Sequence, residues 1–144
     1  MTVYEQELRK IVGPIHPDAA YAGRACYVRL GENNRARLQF ASMHISSQYD
    51  ALKMTVLNRN EGVVDTLILR FSDLWGRKQI TNPNFKDGVY PHLWDDGGRV
   101  GWYAYQPTAR DYGVLSTAVS DYLEVFMEQS QTQSRGQEWQ LTMK

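Results

Sequence analysis

The sequence predicts an α+β fold: an antiparallel sheet of four to six strands bracketed by an N-terminal and a C-terminal helix. Three observations carry this. Apolar residues recur at helical spacing near both ends, at Tyr4, Leu8, Ile11 and Ile15 and again at Tyr112, Leu115, Val119, Tyr122 and Phe126. Between those stretches the apolar period switches to two. Turn-forming residues fill each gap between the alternating runs.

The first helix is expected over Val3–Val12, with Thr2 and Glu5 as a capping-box pair and Gly13-Pro14 as its stop. Five runs then read as strands: Ala25–Leu30, Ala36–Ser42, Ala51–Arg59, Val63–Phe71 and Val100–Gln106. A three-residue loop Glu32-Asn33-Asn34, with Asn34 left-handed, pairs Leu30 with Ala36, Val28 with Leu38 and Cys26 with Phe40. An even-numbered loop would set Leu30 beside Arg35, a slip that side-chain alternation penalises. At Asn60-Glu61-Gly62 an even loop serves better, because it gathers Leu52, Met54 and Val56 with Val63, Leu67 and Leu69. Val64 and Ile68 make that fourth strand apolar on both faces, as in a central strand covered on both sides.

The stretch from Ser72 to Tyr90 reads as irregular, with Asp73 starting a short helical turn and Trp75 filling core space. Asp95-Asp96-Gly97-Gly98 is a turn signal before Trp102. Trp102 and Ala104 then face one way and Tyr103 and Tyr105 the other, so one set is core. The other is covered by a helix or exposed as a patch that can build a homodimer. The last helix starts from Thr108, capped with Asp111. Residues 1–128 thus form a single domain, and 129–144 is a flexible Gln/Ser-rich tail whose Trp139 can act as an anchor.

A chain of 144 residues, 42% apolar and 22% charged, has an ordinary globular composition. Its net charge of zero excludes a global field that would draw nucleic acid or an anionic membrane. One cysteine, Cys26, excludes an internal disulfide and cysteine-based zinc frameworks. No secretory signal opens the sequence and no run approaches the roughly 20 apolar residues of a membrane span. A cytoplasmic location is expected.

The charges are segregated. Residues 20–60 hold six cations (Arg24, Arg29, Arg35, Arg37, Lys53, Arg59) against Glu32 and Asp50, while residues 87–128 hold seven carboxylates against two arginines. With the aliphatic residues facing inward, Tyr27, Arg29, Arg35 and Arg37 face outward, with Arg29 directly opposite Arg37. Lys53 and Arg59 extend the same sign. Guanidinium forks suit carboxylates and phosphates, so this face is the candidate partner-binding site. An acidic protein surface is the preferred partner, and nucleic acid the alternative, with only one exposed aromatic to stack on a base. Neutralisation by Glu32, Asp50 or Asp65 would reduce it to a solvated face.

A third reading is a small enzyme working from His92, Asp95 and Asp96, where an imidazole and paired carboxylates cluster. A structural role suits His92 better, since no second imidazole stands at ligand spacing. Cys26 alternates inward with Val28 and Leu30, as a core thiol does. No phosphate loop or nucleophile elbow is present. The chain therefore reads as a non-enzymatic interaction domain, with no metal and no cofactor expected.

Two stretches carry a resemblance: Leu57-Asn58-Arg59-Asn60-Glu61-Gly62-Val63-Val64-Asp65-Thr66, and Trp102-Tyr103-Ala104-Tyr105-Gln106-Pro107-Thr108-Ala109-Arg110-Asp111-Tyr112. Together they resemble small uncharacterised proteins carried on conjugative or phage-like mobile elements of Firmicutes. The resemblance implies an accessory binder or inhibitor of host machinery, of the anti-CRISPR type. It supplies no activity and no site residue.

Overall fold

The structure, a computed structural model, describes residues 1–76, 80–82, 85–103 and 105–128, with backbone only for 80–82 and 85–89. The elements run α1 (Val3–Val12), β1 (Ala20–Ala22), β2 (Ala25–Arg29), β3 (Asn34–Ala41), β4 (Gln48–Tyr49), β5 (Ala51–Asn58) and β6 (Gly62–Arg70). They continue as α2 (Phe71–Leu74), β7 (Ile80–Asn82), β8 (Phe85–Val89), β9 (His92–Asp96), β10 (Arg99–Tyr103) and α3 (Ala109–Glu124). The expected tail 129–144 with Trp139, and Ala104, lie outside the described residues.

The fold is α+β, as the two periodicities predict. β1-β2-β3-β5-β6 form a five-stranded antiparallel sheet, β10-β9-β4 a three-stranded one, and β7-β8 a two-stranded ribbon. Alternation sends Cys26, Val28, Ala36, Leu38, Phe40, Leu52, Met54 and Val56 to one face, where all are buried. The same core takes in Leu8, Ile11 and Val12 of α1 and Leu115, Val119 and Leu123 of α3, together with Leu93 of the smaller sheet. Both long helices therefore lie on one side of the five-stranded sheet.

Caps and a buried polar anchor hold the helices. The Thr2 hydroxyl accepts the Glu5 N–H at 3.1 Å, while the Glu5 carboxylate turns to Arg9 at 2.8 Å instead of completing the box. Thr108 and Asp111 form the full capping box of α3. Glu7, only 5% exposed, accepts from Trp102 Nε1 at 2.9 Å, from Lys10 Nζ at 3.0 Å and from the Tyr112 hydroxyl. Those bonds join α1, β10 and α3. Trp75 fills the core as expected, stacked on Phe71 with centroids 5.0 Å apart and donating its indole N–H to Asp111 O.

Four expectations about the larger sheet need correction, and the stretch read as irregular carries the strands β7 and β8. The β2–β3 register is displaced by two residues: Arg29 faces Arg35, Val28 faces Ala36 and Cys26 faces Leu38, so Arg29 is not opposite Arg37. Slipping by two keeps every side chain on its face, which is why the inward set is right and the partners are wrong. The loop is Gly31-Glu32-Asn33, closed by Leu30 N–H to Asn34 O at 3.0 Å; Asn34 already belongs to β3, and Gly31 carries the unusual conformation at φ 153°. Val63 is not inward. A bulge opposite Val56 and Leu57 pairs it with Leu57, and it is 61% exposed. Lastly, β6 is an edge strand rather than a central one, and Val64 and Ile68 are exposed.

The aromatic segment follows alternation as far as Tyr103, where β10 ends; Tyr105 departs from it and packs on Trp75 at 6.0 Å, on the core side with Trp102. Trp102 faces the core, with Phe71 at 5.5 Å and Trp75 at 5.8 Å, and Tyr103 packs edge-on to Trp94 at 5.0 Å.

Candidate binding surface

The face of the five-stranded sheet turned away from α1 and α3 carries the cations. Three transverse rows define it. Ala20, Tyr27, Arg37, Thr55 and Thr66 form the middle row. Arg29, Arg35, Leu57 and Val63 run alongside towards the hairpin turns, and Ala25, Gln39, Lys53 and Ile68 on the other side. Tyr27, Arg29, Arg35, Arg37 and Lys53 thus share one face, as the alternation predicts. Arg59 lies outside the strands, in the β5–β6 turn, whose position is fixed by its N–H bonding Asn33 O at 2.8 Å.

No ion pair among the described residues closes this face. The ion pairs among the described residues are Arg9–Glu5, Lys10–Glu7, Arg24–Asp95, Arg70–Asp50 and Arg99–Asp96, and none uses the face. Of the three carboxylates that sequence offered as neutralisers, Asp50 and Asp65 are engaged elsewhere. Asp50 holds Arg70 and the Met43 N–H, Asp65 accepts the Tyr122 hydroxyl, and Glu32 forms no ion pair among the described residues. Arg24, counted with the basic segment, leaves it for Asp95 at 3.2 Å and the Tyr4 ring at 4.7 Å.

Arg29 and Arg35 stand directly across from each other, an arrangement that disfavours the fold by up to roughly 1 kcal/mol. Arg29 Nε donates to Gly31 O at 3.1 Å, and the Arg35 guanidinium lies 6.0 Å from the centre of the Tyr27 ring. Arg37 is half-buried, and its Nε has no hydrogen-bond partner among the described residues. A buried donor left unpaired is costly.

Between the β2–β3 and β5–β6 turns lies a cavity of about 720 Å³, lined by Tyr27, Arg29, Arg35 and Arg59 among others. Its size is that of a ligand-binding cleft. Four of the six predicted residues meet there; Arg37 and Lys53 lie further along the face. Asp18 and Glu32 sit at the lining and moderate its charge.

Sequence reasoning missed the amides and the carboxylate that build this cavity. Asn58 Nδ2 donates to Asn34 Oδ1 at 2.8 Å, and Asn34 Nδ2 donates to Phe126 O at 3.1 Å. Glu128 Oε2 accepts the N–H groups of Asn33 at 2.6 Å and Asn34 at 2.7 Å, and the Glu128 N–H returns to Leu30 O at 2.8 Å. These backbone bonds, Asn34 first, hold the Glu128 carboxyl below its ordinary range. Gly31 is required here, since a Cβ would come within 2.3 Å of Glu128 Oε2. Paired asparagines at two turns were visible in the sequence; their meeting across the sheet was not.

His92, Asp95 and Asp96 do not converge. All three lie on β9, where His92 and Asp95, three apart, point to opposite faces. His92 is 2% exposed, with Nδ1 2.8 Å from Tyr90 O and Nε2 without a partner among the described residues. Burial pulls its pKa down. Asp95 is held below the carboxylate range by the Tyr4 hydroxyl at 2.6 Å, and Asp96 pairs with Arg99 at the surface. Cys26 is fully buried, and desolvation pushes its thiol up to about 11.

Among the described residues no group of three His, Cys, Asp or Glu side chains is placed to hold a metal ion, and no helix is long and apolar enough to cross a membrane. Comparison with known proteins returns no match: no protein-family model, no curated protein and no solved structure is significantly similar to the chain.

Proposed function

We propose that the chain is a non-enzymatic protein-interaction domain that receives an acidic protein surface on the basic face of its larger sheet. One observation carries this reading. Arg29 and Arg35 face each other with no ion pair to either among the described residues, at the wall of a cavity of about 720 Å³. A fold gains nothing from such a pair, whereas a carboxylate-bearing partner would find two forked donors already aligned.

Nucleic acid is the second reading, because both long helices leave one sheet face to solvent and Tyr27 offers a ring beside the cations. Tyr27 is the lone aromatic on the β1–β6 strands of that face among the described residues, and single-strand binders stack bases on several. In the mobile-element setting that the resemblance implies, the partner would be a host protein met in the cytoplasm, and the role accessory or inhibitory, of the anti-CRISPR type.

Affinity capture from a lysate, with and without nuclease, tests both. Capture that survives nuclease and is lost in the Arg29→Glu, Arg35→Glu double variant supports the protein reading. Capture unchanged by the double variant removes the surface. Binding that disappears with nuclease, and falls steeply with salt on isolated oligonucleotides, favours the second reading.

A further inference from the structure

The two edges of the larger sheet are unlike. β1 is three residues long and offers little to pair with. β6 runs nine residues, Gly62–Arg70, and is bonded on its β5 side alone among the described residues. Its apolar residues Val63, Val64 and Ile68 are 61%, 37% and 39% exposed. Natural edges are blunted by lysine, proline, shortness or inward charge. β6 has no lysine or proline; its one inward charge, Asp65, is taken up by the Tyr122 hydroxyl, Arg70 stands at its end, and its bulge is confined to the turn end, so Asp65–Arg70 remains regular.

We propose that β6 joins two copies of this chain, antiparallel, across a two-fold axis at Thr66, so that two five-stranded sheets continue into one. The strand itself argues for a second copy. Thr66 is its midpoint, so an axis there sets the whole strand against its copy, with Asp65–Leu67 in regular register and the bulged Gly62–Val64 end beside the regular Ile68–Arg70 end. Thr66 then meets Thr66, a favourable cross-strand pair, and Val64 of each copy comes beside Ile68 of the other. Asp65 faces Leu67 and Arg70 faces Gly62, so no like charges stand opposite. An isologous contact needs a self-complementary surface of this kind. The axis is perpendicular to the sheet, which puts both basic faces on the same side.

The test is the mass of the full chain in solution by light scattering across a concentration series, with far-UV circular dichroism as the folding control. The wild-type chain is expected at twice the monomer mass. Val64→Lys with Ile68→Lys sets lysines opposite one another and is expected to be monomeric, as is Val64→Glu with Ile68→Glu. Mixed one to one, the two variants should restore the dimer. A Thr66→Cys chain, with Cys26 buried and silent, should form a covalent dimer on oxidation. A monomeric wild type at every concentration, a dimer that persists in the Lys variant, or Thr66→Cys chains that stay uncrosslinked would each overturn the proposal. So would a β6 edge filled only by a strand of another protein.

Discussion

Glu7 Oε1 accepts the indole N–H of Trp102 at 2.9 Å across 95 positions of sequence. The same oxygen receives the Tyr112 hydroxyl, whose ionisation burial and this carboxylate suppress. A single buried carboxylate thus ties the first helix to a strand of the smaller sheet and to the last helix.

Glu7→Ala leaves the indole N–H and the phenol without an acceptor. Each buried unsatisfied group costs about 1–3 kcal/mol, so denaturant unfolding should show a loss of roughly 3 kcal/mol. Glu7→Gln keeps an acceptor and should lose clearly less.

Gly31→Ala should expel the Glu128 carboxylate from the β2–β3 turn, since the added carbon occupies its place. Amide exchange at Asn33 and Asn34 should then accelerate, while amides in the β5 core remain protected. Unchanged exchange at those two residues would show that the carboxylate is not what orders the turn.

Acid should act through Glu128 and Asp95, whose folded pKa values lie below their ordinary values of 4.5 and 3.8. For a depressed carboxylate the unfolded chain binds protons first, so the stabilisation is present above the ordinary pKa and is lost as pH falls through the folded value. Melting temperature should decline below about 4.5. Glu128→Gln should be less stable at neutral pH and show a shallower decline.

Arg29→Ala removes one of two like charges held face to face, so the fold should be unharmed or gain up to roughly 1 kcal/mol. Partner capture should fall in the same variant. Stability and capture moving down together would mean that the arginine serves the fold.

Cys26 should resist thiol reagents at pH 8 in the folded chain and react at once on unfolding, because burial raises its pKa to about 11. Rapid native-state labelling would show that the core at β2 opens readily.

The sequence's alternation made the faces of β2, β3 and β5 legible, and with them the shared direction of Tyr27, Arg29, Arg35, Arg37 and Lys53. It left the partners open, because alternation is blind to a slip of two residues. What decides between Arg35 and Arg37 as the neighbour of Arg29 is the turn, and the turn is held by Glu128, almost a hundred positions away. Apolar residues on both sides of β6 read as a central strand, whereas an edge can carry them too. Nothing in the sequence marks Glu7 as an anchor, because its partners, Trp102 and Tyr112, are remote. β1 and β4 are too short to show a period, and Asp95 and Asp96 end a strand as readily as they begin a turn.

The carboxylate of Glu128 lies four residues past the end of α3. A chain cut after Glu124 would retain each described helix and strand, yet the mouth of the basic cavity would lose the brace under Asn33 and Asn34. The shortest chain that keeps this brace therefore extends to Glu128, and a truncation series should find its break between those two glutamates.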